Sequence, residues 1–339
     1  MSATATPVRT PIPATAHPPA MNPRTARLLQ GRIVPTLLAM AWPNVLLMLG
    51  QASSGLIETW YVSRLGLEAL AGMALVFPGF MMMQMLSAGA MGGGISSAIA
   101  RALGSGREAD ANALVWHAII INLAFGLGFG VLVLAFGRPL YHALGGRGGS
   151  LEAALVYSNL VFAATPLVWL SNGLASVVRG TGDMLFPALA VCGGVALLIP
   201  LSPLLIFGFG PMPALGVAGA GIAVLLTTAG TLLVLAWYIL SGRCLVRPGR
   251  LRLRRAMFAA ILRVGAVASV STLQTSLTIA LLTALVGGAA GPDAVAGYGT
   301  GARLEFLLVP IVFGLGAPLV ALIGTNMGAG SGNEPCVSP

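Results

Sequence analysis

The chain has 339 residues, of which 57% are hydrophobic and only 8% charged, with a mean hydropathy of +0.91. A soluble domain carries about a quarter charged residues; so few charges cannot coat a water-facing surface, whereas a lipid-facing surface needs none. All 18 basic residues are arginine, and the formal charge of +9 sits in loops, where the positive-inside rule accounts for it without nucleic acid as a partner. The apolar runs are long and unbroken rather than alternating, which excludes a transmembrane β-barrel. The expected class is an all-α polytopic membrane protein.

In chain order, residues 1–32 are rich in Pro, Ala and Thr and carry Arg9, Arg24, Arg27 and Arg32 with no acid. They lack the apolar core of a signal peptide and are expected to form a disordered cytosolic arm. Eight segments then reach the roughly 20 residues needed to cross a hydrocarbon core: 33–62, 69–100, 114–136, 153–178, 184–209, 217–240, 256–286 and 294–325. With the N-terminus inside, 13 arginines fall on the cytosolic side against three outside, Arg64, Arg138 and Arg147. That excess places both termini in the cytosol.

The first span holds the most informative polar residues. Asn44, Gln51 and Glu58 recur every seven residues, nearly two full turns, so all three share one face. Ser54 and Gly55 flank the same stripe, which should point into the bundle. A carboxyl group at Glu58 would lie in the outer half of the bilayer, where ionisable side chains persist mainly when they face a cavity or a partner. A proton, a sodium ion or an organic cation would each satisfy its charge. The alternative is that Glu58 marks the outer end of the helix beside Arg64.

Further along, Gln84, Asn159 and Asn172 are weaker candidates of the same kind. The seventh span offers Ser271, Gln274, Thr275 and Thr278 at helical spacing, as readily for interhelical hydrogen bonds as for a ligand. The eighth carries Arg303 and Glu305, two positions apart and so on different faces; Glu305 fits a cavity-lining acid and a structural ion pair equally well. His117 and His142 lie near predicted helix ends and read as interfacial. Prolines 43, 78, 166, 187, 200, 203, 310 and 318 fall inside predicted spans, where they kink helices or free carbonyls. Cys192, Cys244 and Cys336 have no metal-site or disulfide spacing. No P-loop and no nucleophile–base set is present, so neither an enzyme nor a cofactor is expected.

The chain also repeats itself. LGLEALAGMALVFPG…SSAIARALGSG, from Leu65, returns about 225 residues later as AGPDAVAGYGTGARLE…VALIGTNMGAG, from Ala290. Residues 66–73 (GLEALAGM) lie over 291–298 (GPDAVAGY), and 102–106 (ALGSG) over 326–330 (NMGAG). The first unit holds six spans, an even number, so the second enters with the same orientation as a parallel repeat. The expected organisation is an arm (1–32), a first six-helix lobe (33–240), a basic cytosolic linker (241–255), an incomplete second lobe of two helices (256–330) and an aberrant tail (331–339). Six arginines within 243–255 read as a topology signal, with anionic lipid as a second reading.

Four stretches, ETWYVSRLGLEALAGMA, VVRGTGDMLFPA (177–188), PLLIFGFGPMPALGVAGAGIA (203–223) and AVAGYGTGARLE…IGTNMGAG (294–330), together resemble the multidrug and toxic compound extrusion (MATE) family. The resemblance implies an inner-membrane exporter with two six-helix lobes around a V-shaped cavity. It would exchange H+ or Na+ for cationic or amphipathic organic compounds. Glu58 falls where the family has a first-helix aspartate, and Pro43, fifteen positions earlier, matches its hinge proline. The family's Asn-x-x-x-Asp in the fifth helix is replaced here by Leu198 and Ser202, so one carboxylate stands where relatives often have two, and the coupling ion is left open. Relatives continue for four more helices, so the chain reads as truncated. The remaining alternatives are a lipid-linked oligosaccharide flippase of the wider superfamily and a truncated product that does not transport.

Overall fold

The computed structural model describes residues 23–208, 213–249, 253–275 and 309–330, together with positions 278, 281, 282 and 285. Among them every regular element is helical. Helix α1 (Pro23–Gln30) precedes the first long helix, α2 (Ile33–Ser63). Gly66, at φ 110, turns the chain into α3 (Leu67–Gln84), for which a left-handed φ is cheap only in glycine. A π-helical turn, Met85–Met91, joins α3 to α4 (Gly92–Gly104) in a single apolar span of 38 residues. Helix α5 (Glu108–Ala143) opens with Glu108 and Asp110 in its first turn, acids placed favourably at a helix N-terminus. Then follow α6 (Gly148–Ala163), α7 (Thr165–Gly180), α8 (Leu185–Phe207), α9 (Val217–Leu240), α10 (Arg255–Thr275) and α11 (Val309–Gly328).

Six helices among the described residues are long and apolar enough to span a bilayer, and α6 with α7, bent by 47°, makes a seventh. The large side chains on their outer faces, such as Leu56, Val131, Leu233 and Leu240, are exposed. That arrangement suits lipid as the solvent, in which apolar surface is cheap and unpaired backbone is not.

Three differences from the sequence expectation have local causes. The span expected as one helix over 153–178 is broken at Ala164. Pro166, in the first turn of α7, has no N–H for the Phe162 carbonyl, and the Thr165 hydroxyl donates to that carbonyl instead (2.7 Å). The arm expected to be disordered through residue 32 contains α1, which docks on α11: Leu28 is buried and Asn326 Nδ2 donates to its carbonyl (3.2 Å). His117, read as interfacial, is fully buried. Its Nε2 accepts from the Arg254 backbone N–H (3.0 Å), which pins the segment ahead of α10 to α5. Asn112 and Trp116 add two further ties, to the Arg247 N–H and the Gly249 carbonyl. Residues 294–308 of the expected eighth span lie outside the described residues.

Close crossings use small residues, as expected where lipid offers no hydrophobic drive. Gly72 faces Ala153 and Ala154, Gly126 faces Pro166, and Gly94 meets the Ile261 carbonyl of α10. Helix α11 wedges against both α2 and α4. On the α2 side, Asn44 Nδ2 donates to the carbonyls of Phe313 (2.9 Å) and Gly314 (3.3 Å). The Gly314 carbonyl needs an outside donor because Pro318, four residues on, has no N–H to offer it. Replacing Asn44 with leucine is expected to strand that carbonyl and cost about 1–3 kcal/mol. A lower melting temperature of the detergent-solubilised protein would show it; an unchanged melting temperature would refute it.

Candidate functional site

A cavity of about 590 Å³ opens among α2, α3, α6, α7, α8 and α9. Its walls are largely apolar, with Met73, Phe77, Phe80 and Met81 contributed by α3. Its polar groups converge from separate helices: Gln51 and Glu58 from α2, Gln84 at the end of α3, Tyr157 from α6, Asn172 from α7 and Thr231 from α9.

Glu58 is only 5% exposed, and the Tyr157 hydroxyl donates to its Oε1 (2.9 Å). Among the described residues no ion pair reaches it: the three that form are Arg107–Asp110, Arg138–Glu152 and Arg254–Asp110. Arg64, the neighbour that would have made Glu58 a simple helix-end acid, lies instead over the Trp60 ring at 4.2 Å. A buried carboxylate with one hydroxyl donor and no cationic side chain has capacity left for a bound cation or proton. No group of three or more His, Cys, Asp and Glu side chains that could hold a metal occurs among the described residues. The donor set is one carboxylate with neutral amides and hydroxyls, hard oxygen ligands rather than the thiolates and imidazoles that softer metals prefer.

At another part of the wall, Asn172 Nδ2 donates to both Gln84 Oε1 and Ser87 Oγ, each at 2.8 Å. Gln84 and Ser87 straddle the start of the π turn, whose wider winding interrupts the i→i+4 register; such turns are frequent at functional sites.

Of the residues singled out in the sequence, the structure brings Gln51, Glu58, Gln84 and Asn172 to one cavity, whereas Asn159 is exposed and does not line it. Asn44 belongs to the α2–α11 contact instead. Gln274 is exposed on α10 and does not line the cavity. Glu305, with Arg303, lies outside the described residues. Pro43 is buried within α2, about 22 Å along the axis from Glu58 at 1.5 Å per residue. Leu198 lines the cavity, and the Ser202 hydroxyl is buried without a partner, so α8 supplies no carboxylate here. Tyr157 escaped the sequence reading. Its signal was a phenol in an apolar helix, whose hydroxyl must find a partner when buried.

Long apolar helices around an open cavity of this size, with one buried carboxylate in its wall, define a multi-pass membrane protein. The MatE family model matches residues 43–204. The chain is similar to the FAD transporter of Shewanella oneidensis, with 30% identity over 310 residues, covering 89% of this chain and 67% of that protein. It is also similar to the probable multidrug resistance protein YoeA of Bacillus subtilis, with 27% identity, covering 82% of this chain and 59% of that one. A solved MOP superfamily transporter from Pyrococcus furiosus matches with a TM-score of 0.82 and 29% identity, over 90% of this chain and 67% of its own. The chain therefore belongs to the MATE family, whose members are transporters and not enzymes. It spans about two thirds of the length of these proteins, or less.

Proposed function

We propose that this chain acts in secondary active efflux, exchanging H+ or Na+ for a cationic or amphipathic organic compound by alternating access. The observation that carries the reading is Glu58: a buried carboxylate that faces the cavity and has no cationic side chain beside it among the described residues. In this mechanism a coupling ion and a cationic substrate occupy the Glu58 site in turn. Tyr157 orients the carboxylate, and Gln51 and Asn172 supply neutral polar contacts while the Met and Phe wall takes the apolar body. Flexible methionines suit a site that accepts varied shapes. Pro43 is the hinge about which α2 bends.

The same reading assigns residues 33–240 to a first lobe, 241–255 to a cytosolic linker and 256–330 to the start of a parallel second repeat, in an inner membrane with cytosolic termini. Asn44, on the α2–α11 contact, would then couple the two units. Glu305 and Gln274 would contribute from the second repeat once it moves. The arginines of 243–255 would lie against anionic lipid headgroups. Among the relatives, one name refers to multidrug resistance and another to FAD, so both cationic drugs and an anionic aromatic solute are substrate classes to test.

Everted vesicles from cells expressing the chain, given ethidium and then either a pH or a sodium gradient, test the proposal. The expected result is ethidium accumulation under one gradient and its discharge when that gradient is collapsed. No accumulation under either gradient would sink it.

A further inference from the structure

The cation-binding reading leaves one buried charge unused. Arg179 sits one residue before the end of α7 and is 6% exposed. A guanidinium presents five N–H donors. Here Nη2 donates to Ser176 Oγ (2.7 Å), and no other hydrogen bond or ion pair accompanies it among the described residues. Its surroundings are neutral: Gly92 packs against Ser176 and the Arg179 Nη2, and Ser96 Oγ is spent on the Ser176 carbonyl (2.8 Å). The negative end of α7 offsets part of the charge. A guanidinium with one neutral partner has donors left over for an anion, and carboxylate and phosphate are the planar or multidentate acceptors it fits best.

Arg179 is also connected to the cavity. Asn172, Ser176 and Arg179, spaced by four and three residues, share one face of α7. Asn172 lines the cavity, and the Ser176 hydroxyl donates to its carbonyl (2.7 Å), so Arg179 lies about 10 Å along the helix from the cavity wall. Facing this stripe are Gln84, Ser87, Gly92 and Ser96, which belong to the end of α3, the π turn and α4. The polar seam thus runs along the one place where the α3–α4 rod departs from regular α-helix, and it ends on a positive charge that no acid meets among the described residues.

We propose that Arg179 is an anion-accepting station on the transport route, taking the carboxylate or phosphate of an amphipathic solute whose aromatic or apolar body occupies the Met- and Phe-lined cavity. The proposal rests on the transport reading above and adds a substrate class to it: solutes with an anionic group held about one and a half nanometres or less from an apolar ring system, given the ~10 Å between Asn172 and Arg179.

The test uses the whole chain in phosphatidylcholine nanodiscs, titrated with riboflavin and with riboflavin 5′-phosphate, two probes that share a ring system and differ in one anionic group. Flavin anisotropy is expected to show binding of the phosphate ester at least about tenfold tighter, a difference of about 1.4 kcal/mol. Arg179→Gln should remove the difference, and Arg138→Gln, which touches only an exposed ion pair with Glu152, should preserve it. A second readout needs no variant: riboflavin 5′-phosphate, but not riboflavin, should protect Arg179 from phenylglyoxal, followed residue by residue by mass spectrometry. Equal affinities, no binding of either flavin, or a preference that survives Arg179→Gln would each overturn the proposal, as would equal modification of Arg179 with and without the phosphate ester. Loss of the preference in discs containing phosphatidylglycerol would assign Arg179 to a lipid headgroup and overturn the solute assignment. Gradient-driven transport is measured separately, so a flavin preference without ethidium transport would retain the station and sink the efflux reading instead.

Discussion

Glu58→Gln lowers the affinity of the reconstituted chain for a lipophilic cation such as tetraphenylphosphonium by about thirtyfold or more. Glutamine keeps the shape of glutamate and an oxygen to accept the Tyr157 hydroxyl, so the cavity survives while its charge does not. Among the described residues Glu58 is the one acid that lines the cavity. Removing one partner of a desolvated charge pair costs about 2 kcal/mol or more, which is the thirtyfold quoted. Glu58→Asp, which keeps the charge on a side chain one methylene shorter, should recover most of the affinity. Tyr157→Phe should have a smaller effect, about 1 kcal/mol, because it removes one hydrogen bond and leaves the charge. Equilibrium dialysis with the radiolabelled cation measures all three. Parental affinity in Glu58→Gln would remove the cavity carboxylate from any account of cation binding.

Gly104→Leu is the most damaging packing change expected. A Cβ at Gly104 would overlap the Thr325 carbonyl of α11, and one at Gly328 would overlap the Arg101 carbonyl of α4. The two backbones therefore approach reciprocally, with Gly324 against Ala100 between them. Carbonyl groups held in helical ladders cannot rotate aside as a side chain would, so the helices must separate. Overpacking of a tight site costs about 1–3 kcal/mol, and separation of this whole crossing places the change at or above the upper end. Gly93, with open space where a Cβ would stand, is the matched control: Gly93→Ala should be neutral or slightly stabilising, since alanine favours helix. Size-exclusion profiles and melting temperatures in detergent distinguish them. A Gly104→Leu protein that melts with its parent would show that α4 and α11 are not held this closely.

The class and the family were legible in the chain because both are written in one dimension. An apolar run of 20 or more residues has few options in lipid beyond a helix. The expected span at 217–240 accordingly has the same limits as α9, and 33–62 differs from α2 by one residue. The glycine-rich turns that carried the family resemblance are likewise local. Gly66, Gly182 and Gly216 all adopt positive φ, a requirement of the turn itself that needs no distant partner.

What surrounds each helix face was not written there. Asn44, Gln51 and Glu58 do recur every seven residues. A heptad in a straight helix, however, advances about 10 Å along the axis and drifts by about 20°, so one stripe meets different neighbours at different depths. At one end it meets the α11 carbonyl freed by Pro318, and fourteen residues on it meets Tyr157 and the cavity. Tyr157 is 99 positions from Glu58, and Asn172 is 88 from Gln84; no periodicity within a segment links such pairs. The π turn has no composition of its own that marks it out, and the bend at Ala164 required knowing how the Phe162 carbonyl would be satisfied once Pro166 withdrew its donor. Hydropathy, small-residue turns and repeated motifs are properties of neighbouring residues, and they suffice to make this chain a helical membrane transporter of the MATE family. Which polar groups share a cavity, and which buried charges lack a partner, depend on how helices far apart in the chain pack side by side, and so emerge only in three dimensions.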